Sequence, residues 1–137
     1  MNKKILLVVS SYYKDISKNL ISGSTNFLNE NNFEYDISDV PGAFEIPFVI
    51  KKNINKYLGF IALGCLIRGE TYHFEIISNE TSRKIIDLSV DYEKPIGLGL
   101  LTCETYEQAI IRSDPLQKKK GKEAAFACCS LVNLRNE

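Results

Sequence analysis

Apolar residues recur along this chain in two alternating rhythms. Short, nearly continuous apolar runs of strand length lie at residues 5–9, 33–37, 58–65 and 96–102. Each is followed by a stretch whose apolar positions return at helical spacing. After the first run, starting from about Asp15, residues Ile16, Leu20, Ile21, Phe27 and Leu28 fall on one stripe, with Asp15 as the expected cap. A second helix is expected near Ala43, carrying Ile46, Phe48, Val49 and Ile50, its start limited by Pro41 and Pro47. A third is marked by Phe74, Ile77, Ile85 and Leu88. Thr105 and Gln108 are spaced as a capping box ahead of Ala109, Ile110 and Ile111. The last helix should run from about Lys122, lined by Ala124, Ala125, Ala127, Cys128, Leu131 and Leu134. Strands without polar alternation must be buried on both faces. The pattern therefore predicts an α/β fold, a parallel sheet with helices on either side joined by right-handed crossovers.

Composition narrows the picture without changing it. A chain of 137 residues with 45% hydrophobic content supports one core, so residues 1–137 read as a single domain. Lys plus Arg equals Asp plus Glu at 17 each, which leaves no long-range field to draw the protein to nucleic acid or an anionic membrane. The apolar run near the N-terminus is too short for a signal peptide, and nothing approaches the length of a membrane span, so a cytoplasmic protein is expected. Cys65, Cys103, Cys128 and Cys129 lack metal-ligand spacing and have a single histidine for company. No metal site is expected, and the thiols read as small buried hydrophobes in a reducing compartment.

In open parallel sheets, ligands bind outside the carboxyl ends of the strands. That rule selects residues 10–14, 40–45, 66–73 and 102–105. The third segment combines Gly69, Thr71 and free amides at a helix start, a natural anion site, with His73 about one turn away. Imidazole suits proton transfer near neutrality, yet an isolated histidine is as often a packing residue. The second segment, VPGAFEIP, sets Phe44 and Glu45 behind a glycine, either as a cradle for a flat polar ring or as an ordinary turn. Tyr12 and Tyr13 are candidate stacking residues. Arg112 ends a helix, where an arginine commonly answers the dipole. The lysines at 118, 119, 120 and 122 read as a solvated loop, with a phosphate role for one of them the minority alternative.

Taken together, VPGAFEIP, LGCLIRGETYHFEIISNE, PIGLGLLTCETYEQAIIR and KKGKEAA, in this order and spacing, resemble the lumazine synthases from about Ile5 to the C-terminus. The resemblance implies a flavodoxin-like, four-stranded α/β/α sandwich that forms rings of five with active sites between neighbours. It implies condensation of 5-amino-6-(D-ribitylamino)uracil with 3,4-dihydroxy-2-butanone 4-phosphate to 6,7-dimethyl-8-ribityllumazine, with release of phosphate, and no metal or organic cofactor. Block by block, it puts Tyr12 at the ring-stacking aromatic. Ala43, Phe44 and Glu45 fall at the ring and ribityl stretch, and Cys65, Leu66 and Ile67 at the strand end that reads the ring edge. Glu70 and Thr71 fall at the phosphate-binding helix start, His73 at the proton-transfer position, and Leu98 and Arg112 at contributions from the adjacent subunit. Tyr12 stands where phenylalanine or tryptophan is more usual, and Leu98 where some members carry an aromatic. Two rivals remain on this reading. One is a relative that keeps the fold without turnover, which retention of Thr71, His73 and Arg112 argues against. The other is a flavodoxin-like electron carrier, for which Ser10-Ser11-Tyr12-Tyr13 is a poor phosphate loop.

Overall fold

The apolar runs become four parallel strands, β1 Ile5–Ser10, β2 Tyr35–Val40, β3 Gly59–Ile67 and β4 Ile96–Cys103, in a sheet ordered β2-β1-β3-β4. Between them run α1 Lys14–Glu30, a 3-10 turn Ala43–Glu45 leading into α2 Ile46–Lys52, and α3 His73–Tyr92; α4 Tyr106–Ser113 and α5 Lys120–Arg135 follow β4. The structure is a computed structural model and describes residues 3–136. It is the expected three-layer α/β/α sandwich of flavodoxin-like form.

The strand pattern explains the layers. Every residue of β1 is buried, because alternate side chains enter different cores. Ile5, Leu7 and Val9 join Ile61, Leu63 and Cys65 against Ile16, Leu20 and Leu28 of α1, Ala109 of α4, and Ala124, Ala125 and Cys128 of α5. Leu6, Val8, Phe60 and Ala62 pack on the other face against Ile46 and Ile50 of α2 and Ile85 and Leu88 of α3. The small residues of α5 let it lie close on the sheet. A Cβ built on Gly97 would come 1.9 Å from the Ala124 carbonyl oxygen, and one on Gly121 would come 2.2 Å from the Leu20 carbonyl oxygen.

Several boundaries differ from expectation, each for a local reason. The second strand begins at Tyr35 rather than Phe33. Phe33 instead donates its N–H to the Leu28 carbonyl (2.9 Å) to close the exit of α1, while β2, as an edge strand, carries polar residues such as Asp36 and Asp39. Asp15 is not the cap of α1. The helix enters from Tyr13, Ser17 Oγ donates to the carbonyls of Ser10 (3.1 Å) and Tyr13 (3.0 Å), and Asp15 sits in the first turn, where its charge favours the dipole. Ala43 opens a 3-10 turn rather than α2 itself. Glu70 and Thr71 precede α3, which begins at His73 after Tyr72. The last helix starts at Lys120, two residues early. Phe48 (72% exposed), Ala127, Leu131 and Leu134 face outward rather than into the core. The cap of α4 forms as read. The Gln108 N–H donates to Thr105 Oγ1 (3.2 Å), while Gln108 Oε1 accepts from the Glu104 N–H (2.8 Å), one residue earlier than a strict capping box.

Candidate active site

The chain turns from β2 back across β1 to β3, so the strand order reverses between β1 and β3, and loops diverge there at the carboxyl ends. A cavity of about 540 Å³ opens at that point, lined by Ser10, Tyr12, Tyr13, Gly42, Ala43, Phe44, Glu45, Cys65, Leu66, Ile67, His73 and Ile77. Its size suits a small-molecule ligand. Three of the four loop segments selected by the strand-end rule contribute. Of the residues singled out in the sequence as site candidates, Tyr12, Tyr13, Ala43, Phe44, Glu45, Cys65, Leu66, Ile67 and His73 meet around one space. Ser10, Gly42 and Ile77 join them without having been singled out. Ser10 is the last residue of β1, and Ile77 follows His73 by one helical turn; both were legible from spacing alone.

Local packing aims these side chains. The Tyr12 ring, 74% exposed, is backed edge-on by Tyr13, with ring centroids 4.9 Å apart and planes at 82°. Tyr13 is in turn met by Tyr106 at 6.2 Å. Tyr12 is thus an exposed ring at the cavity wall braced by a second aromatic, and such a ring can stack on a flat ligand. Burial raises the Tyr13 phenol pKa, with Cys65 and Tyr12 adding to it, so the phenol stays protonated and can donate. Across the cavity Glu45 folds over Gly42, where a Cβ would lie 3.2 Å from Glu45 Oε1; the missing side chain makes room for the carboxylate. Phe44 beside it is exposed.

Cys65 forms part of the floor. Burial, reinforced by neighbouring Cys103, pushes its thiol up to about 12, and Cys129 is pushed to about 11 by burial. Burial also raises Cys128 strongly. All four cysteines are free and buried, and these three thiols are protonated near neutrality, so they pack rather than attack. Among the described residues no group of histidine, cysteine and carboxylate side chains could hold a metal ion.

His73 is exposed at the first position of α3, and its N–H donates to Thr71 Oγ1 (3.3 Å). Thr71 therefore closes the loop over residues 69–72 onto the helix start. The loop and the first turn present amides without intrahelical acceptors beside the imidazole, an arrangement that can hold an anion and pass a proton next to it. Glu70 and Thr71 are exposed on this loop and do not line the cavity.

Arg112 and Leu98 lie elsewhere. Leu98 is half-buried on β4 against the α2–α3 layer. Arg112 lines a second cleft, of about 590 Å³, with Leu100, Leu101, Thr102, Lys118, Lys120 and Glu123. Its Nη1 lies 3.6 Å from Cys103 Sγ as donor. Arg112, Lys118 and Lys120 have no ion-pair partner among the described residues. The lysines, read in sequence chiefly as a solvated loop, thus share a concave surface with Arg112.

Comparison with known proteins places these blocks in company. The family model described as 6,7-dimethyl-8-ribityllumazine synthase matches residues 2–136. A protein of that name from Agrobacterium fabrum is 43% identical over 145 residues, covering 100% of this chain and 98% of the relative. One from Zymomonas mobilis is 41% identical over 98% of this chain and 97% of its own length, and one from Bartonella bacilliformis is 41% identical over 98% and 91%.

Proposed function

Because the chain belongs to the 6,7-dimethyl-8-ribityllumazine synthase family, we propose that the cavity between β1 and β3 is one half of its active site and that the cationic cleft of a neighbouring copy supplies the other. The protein is a transferase of riboflavin biosynthesis. It condenses 5-amino-6-(D-ribitylamino)uracil with 3,4-dihydroxy-2-butanone 4-phosphate to 6,7-dimethyl-8-ribityllumazine, releasing phosphate.

The observation that carries the proposal is the separation of chemistries. The aromatic cavity holds an imidazole and a carboxylate but no cation, whereas the unpaired cations lie in a different cleft of the same chain. One substrate is a flat polar ring and the other carries a phosphate dianion, so each half suits one end of the reaction. A cyclic ring, in which one face of each subunit meets a different face of the next, would join the two. Rings of five are the proposed assembly, and exposed apolar residues such as Phe48, Val90 and Leu116 would find cover in such contacts. A cytoplasmic location is proposed as well, supported by four free buried cysteines and by the absence, among the described residues, of a helix long and apolar enough to cross a membrane.

In this scheme Tyr12 stacks on the pyrimidine, with Ala43, Phe44 and Glu45 along the ring and ribityl chain and Cys65, Leu66 and Ile67 against the ring edge. The substrate amine adds to the ketone of the second reactant. Water leaves to give the imine, loss of a proton and of phosphate gives an enol, and the enol rearranges to a ketone that the second amine attacks, closing the ring with loss of a second water. His73 moves protons at these steps. Amides of the loop bearing Glu70 and Thr71, with the neighbour's Arg112, hold the phosphate through charge-assisted hydrogen bonds, and Leu98 is the neighbour's further contribution to the site. Holding both reactants together contributes effective molarities of up to roughly 10⁵ M or more.

Subunit complementation tests the shared site. His73→Ala and Arg112→Ala proteins are unfolded together in equal amounts and refolded. Random assembly makes about a quarter of the interfaces fully intact, one half times one half, so activity should rise towards about a quarter of the parent's. Mixed rings whose activity stays at the average of the two variants would place His73 and Arg112 in one subunit's site.

A further inference from the structure

Arg68 is the first residue beyond β3, and its backbone N–H continues the sheet by donating to the Cys103 carbonyl (2.9 Å). Its side chain turns in three directions. Nε donates to Glu104 Oε2 at 2.7 Å, Nη1 donates to Glu75 Oε1, and the guanidinium carbon stacks 4.6 Å from the Phe74 ring centroid. Glu104 stands between β4 and the start of α4, while Phe74 and Glu75 form the first turn of α3, directly after His73. A single planar fork therefore ties the end of the sheet to the first turn of the helix that carries the imidazole. Glu75 Oε2 is buried with no hydrogen-bond partner among the described residues, so Arg68 is the cation that holds this carboxylate in place.

The intervening loop has little else to hold it. Residues 68–73 are exposed, and a Cβ on Gly69 would meet nothing within 4 Å. Among the described residues its internal hydrogen bonds are the weak His73 N–H to Thr71 Oγ1 bond at 3.3 Å and the Ile76 N–H to Tyr72 carbonyl bond at 3.0 Å. Both are local and fix nothing relative to the sheet. We infer that Arg68 is a positioning residue for the condensation: its clamp on Glu75, Phe74 and Glu104 sets the imidazole and the anion-binding loop against the cavity. This rests on the reading of His73 as the proton-transfer group. The guanidinium is already engaged by two carboxylates and a ring, so it is not disposed as a phosphate ligand. Ion pairs this exposed add little to global stability, so the effect of the clamp is local.

The test uses Glu75→Gln, Glu104→Gln and Arg68→Lys, with Glu80→Gln, which removes only the Arg83 partner further along α3, as control. A misplacement of an ångström at a reacting group can cost about 100-fold, so loosening one arm should lower kcat by roughly 10-fold, with KM for the keto-phosphate within about twofold and melting temperature nearly unchanged. Lysine cannot present two donor edges and a stacking plane at once, so Arg68→Lys should behave like the acid variants despite its charge. In a His73→Ala background the same changes should cost less than about twofold more, because residues acting through one group are not additive. His73 is the chain's one histidine, so ¹³C-labelled imidazole gives a single NMR signal whose titration or line width Glu75→Gln should alter and Glu80→Gln should not. An unaltered kcat and imidazole signal in Glu75→Gln, or a loss just as large without His73, overturns the clamp. A change confined to KM for the keto-phosphate overturns it in favour of Arg68 as a direct anion ligand. If His73→Ala is itself fully active, the proton-transfer reading falls, and the imidazole signal still decides whether Arg68 positions the helix start.

Discussion

The cavity at the β1–β3 reversal and the cleft beside β4 are similar in size and opposite in character. The first is walled by Tyr12, Tyr13 and Phe44 and floored by protonated Cys65; the second gathers Arg112, Lys118 and Lys120 around a single carboxylate, Glu123. The contrast follows from the fold. Strand reversal spreads apart loops that can expose apolar residues without burying backbone polar groups, whereas the end of α4 and the start of α5 bring solvated basic residues together. On the proposed reading, the ring-shaped reactant suits the first surface and the phosphorylated reactant the second, and a neighbouring copy would bring the two together.

The largest expected effect acts on the aromatic half. His73→Ala should lower kcat by roughly 10²–10⁴-fold, the usual contribution of a general acid–base group, while equilibrium binding of the ribitylamino-uracil stays near the parent value. Stopped-flow absorbance of the lumazine product measures the first quantity and titration of the uracil the second; an unchanged rate at neutral pH removes His73 from the mechanism.

Next comes the support of the cationic half. Gly97→Ala would drive a methyl group to 1.9 Å from the Ala124 backbone oxygen, with Cys128 Cβ at 3.2 Å behind it, so α5 must lift from β4. Overpacking against backbone should destabilise by about 3 kcal/mol. Urea denaturation checks this, and a loss well under 1 kcal/mol would mean that α5 is more loosely seated than its small residues indicate.

A smaller and more selective loss is expected from Arg112→Ala. Losing a charged hydrogen-bond partner costs on the order of 1.5–3 kcal/mol for the ligand that bears the phosphate, and little for the other. Separate KM measurements for the two substrates read this out, and equal losses would make Arg112 a structural residue.

The smallest effect lies at the far end of the sheet, away from both halves. Lys94 is 4% exposed and donates to the Tyr57 carbonyl at 2.9 Å. Burial, with Arg135 adding repulsion, lowers its pKa. Between that lowered value and the ordinary lysine value the unfolded chain binds more protons than the folded one, so stability should rise with pH across this window. The penalty is present below it. Lys94→Met should abolish the rise and stay within about 1 kcal/mol of the parent near neutrality, since relief of the buried charge offsets the lost hydrogen bond. Denaturation curves at neutral and alkaline pH make the comparison, and a rise that persists in the variant would assign it to another group.

How far the sequence reaches can be judged on particular elements. Continuous apolar strands such as β1, flanked by helical stripes, dictate a doubly covered parallel sheet, because no other arrangement hides both faces of Ile5 to Ser10. The strand-end rule selects the loops that carry Tyr12, Phe44 and His73, since their places depend only on which loop follows which strand, whereas Cys65, inside β3, came to the site only through the family resemblance. Polar β2 was misplaced for the converse reason. An edge strand has no second buried ladder to demand hydrophobicity, and the apolar Phe33 that imitated its start serves the turn leaving α1.

Tertiary structure alone decided the rest. The order β2-β1-β3-β4 rests on contacts between segments far apart in the chain, which local periodicity does not encode, and that order sets where the cavity opens. It also decided that Arg112 and the lysines near residue 120 share a cleft distinct from the cavity holding His73, and that Arg68 reaches both Glu75 and Glu104. Sequence determines which chemistry each loop carries, because residue type and the neighbouring elements are local facts. Which chemistries meet is set by how the sheet brings distant loops together, and that is a property of packing.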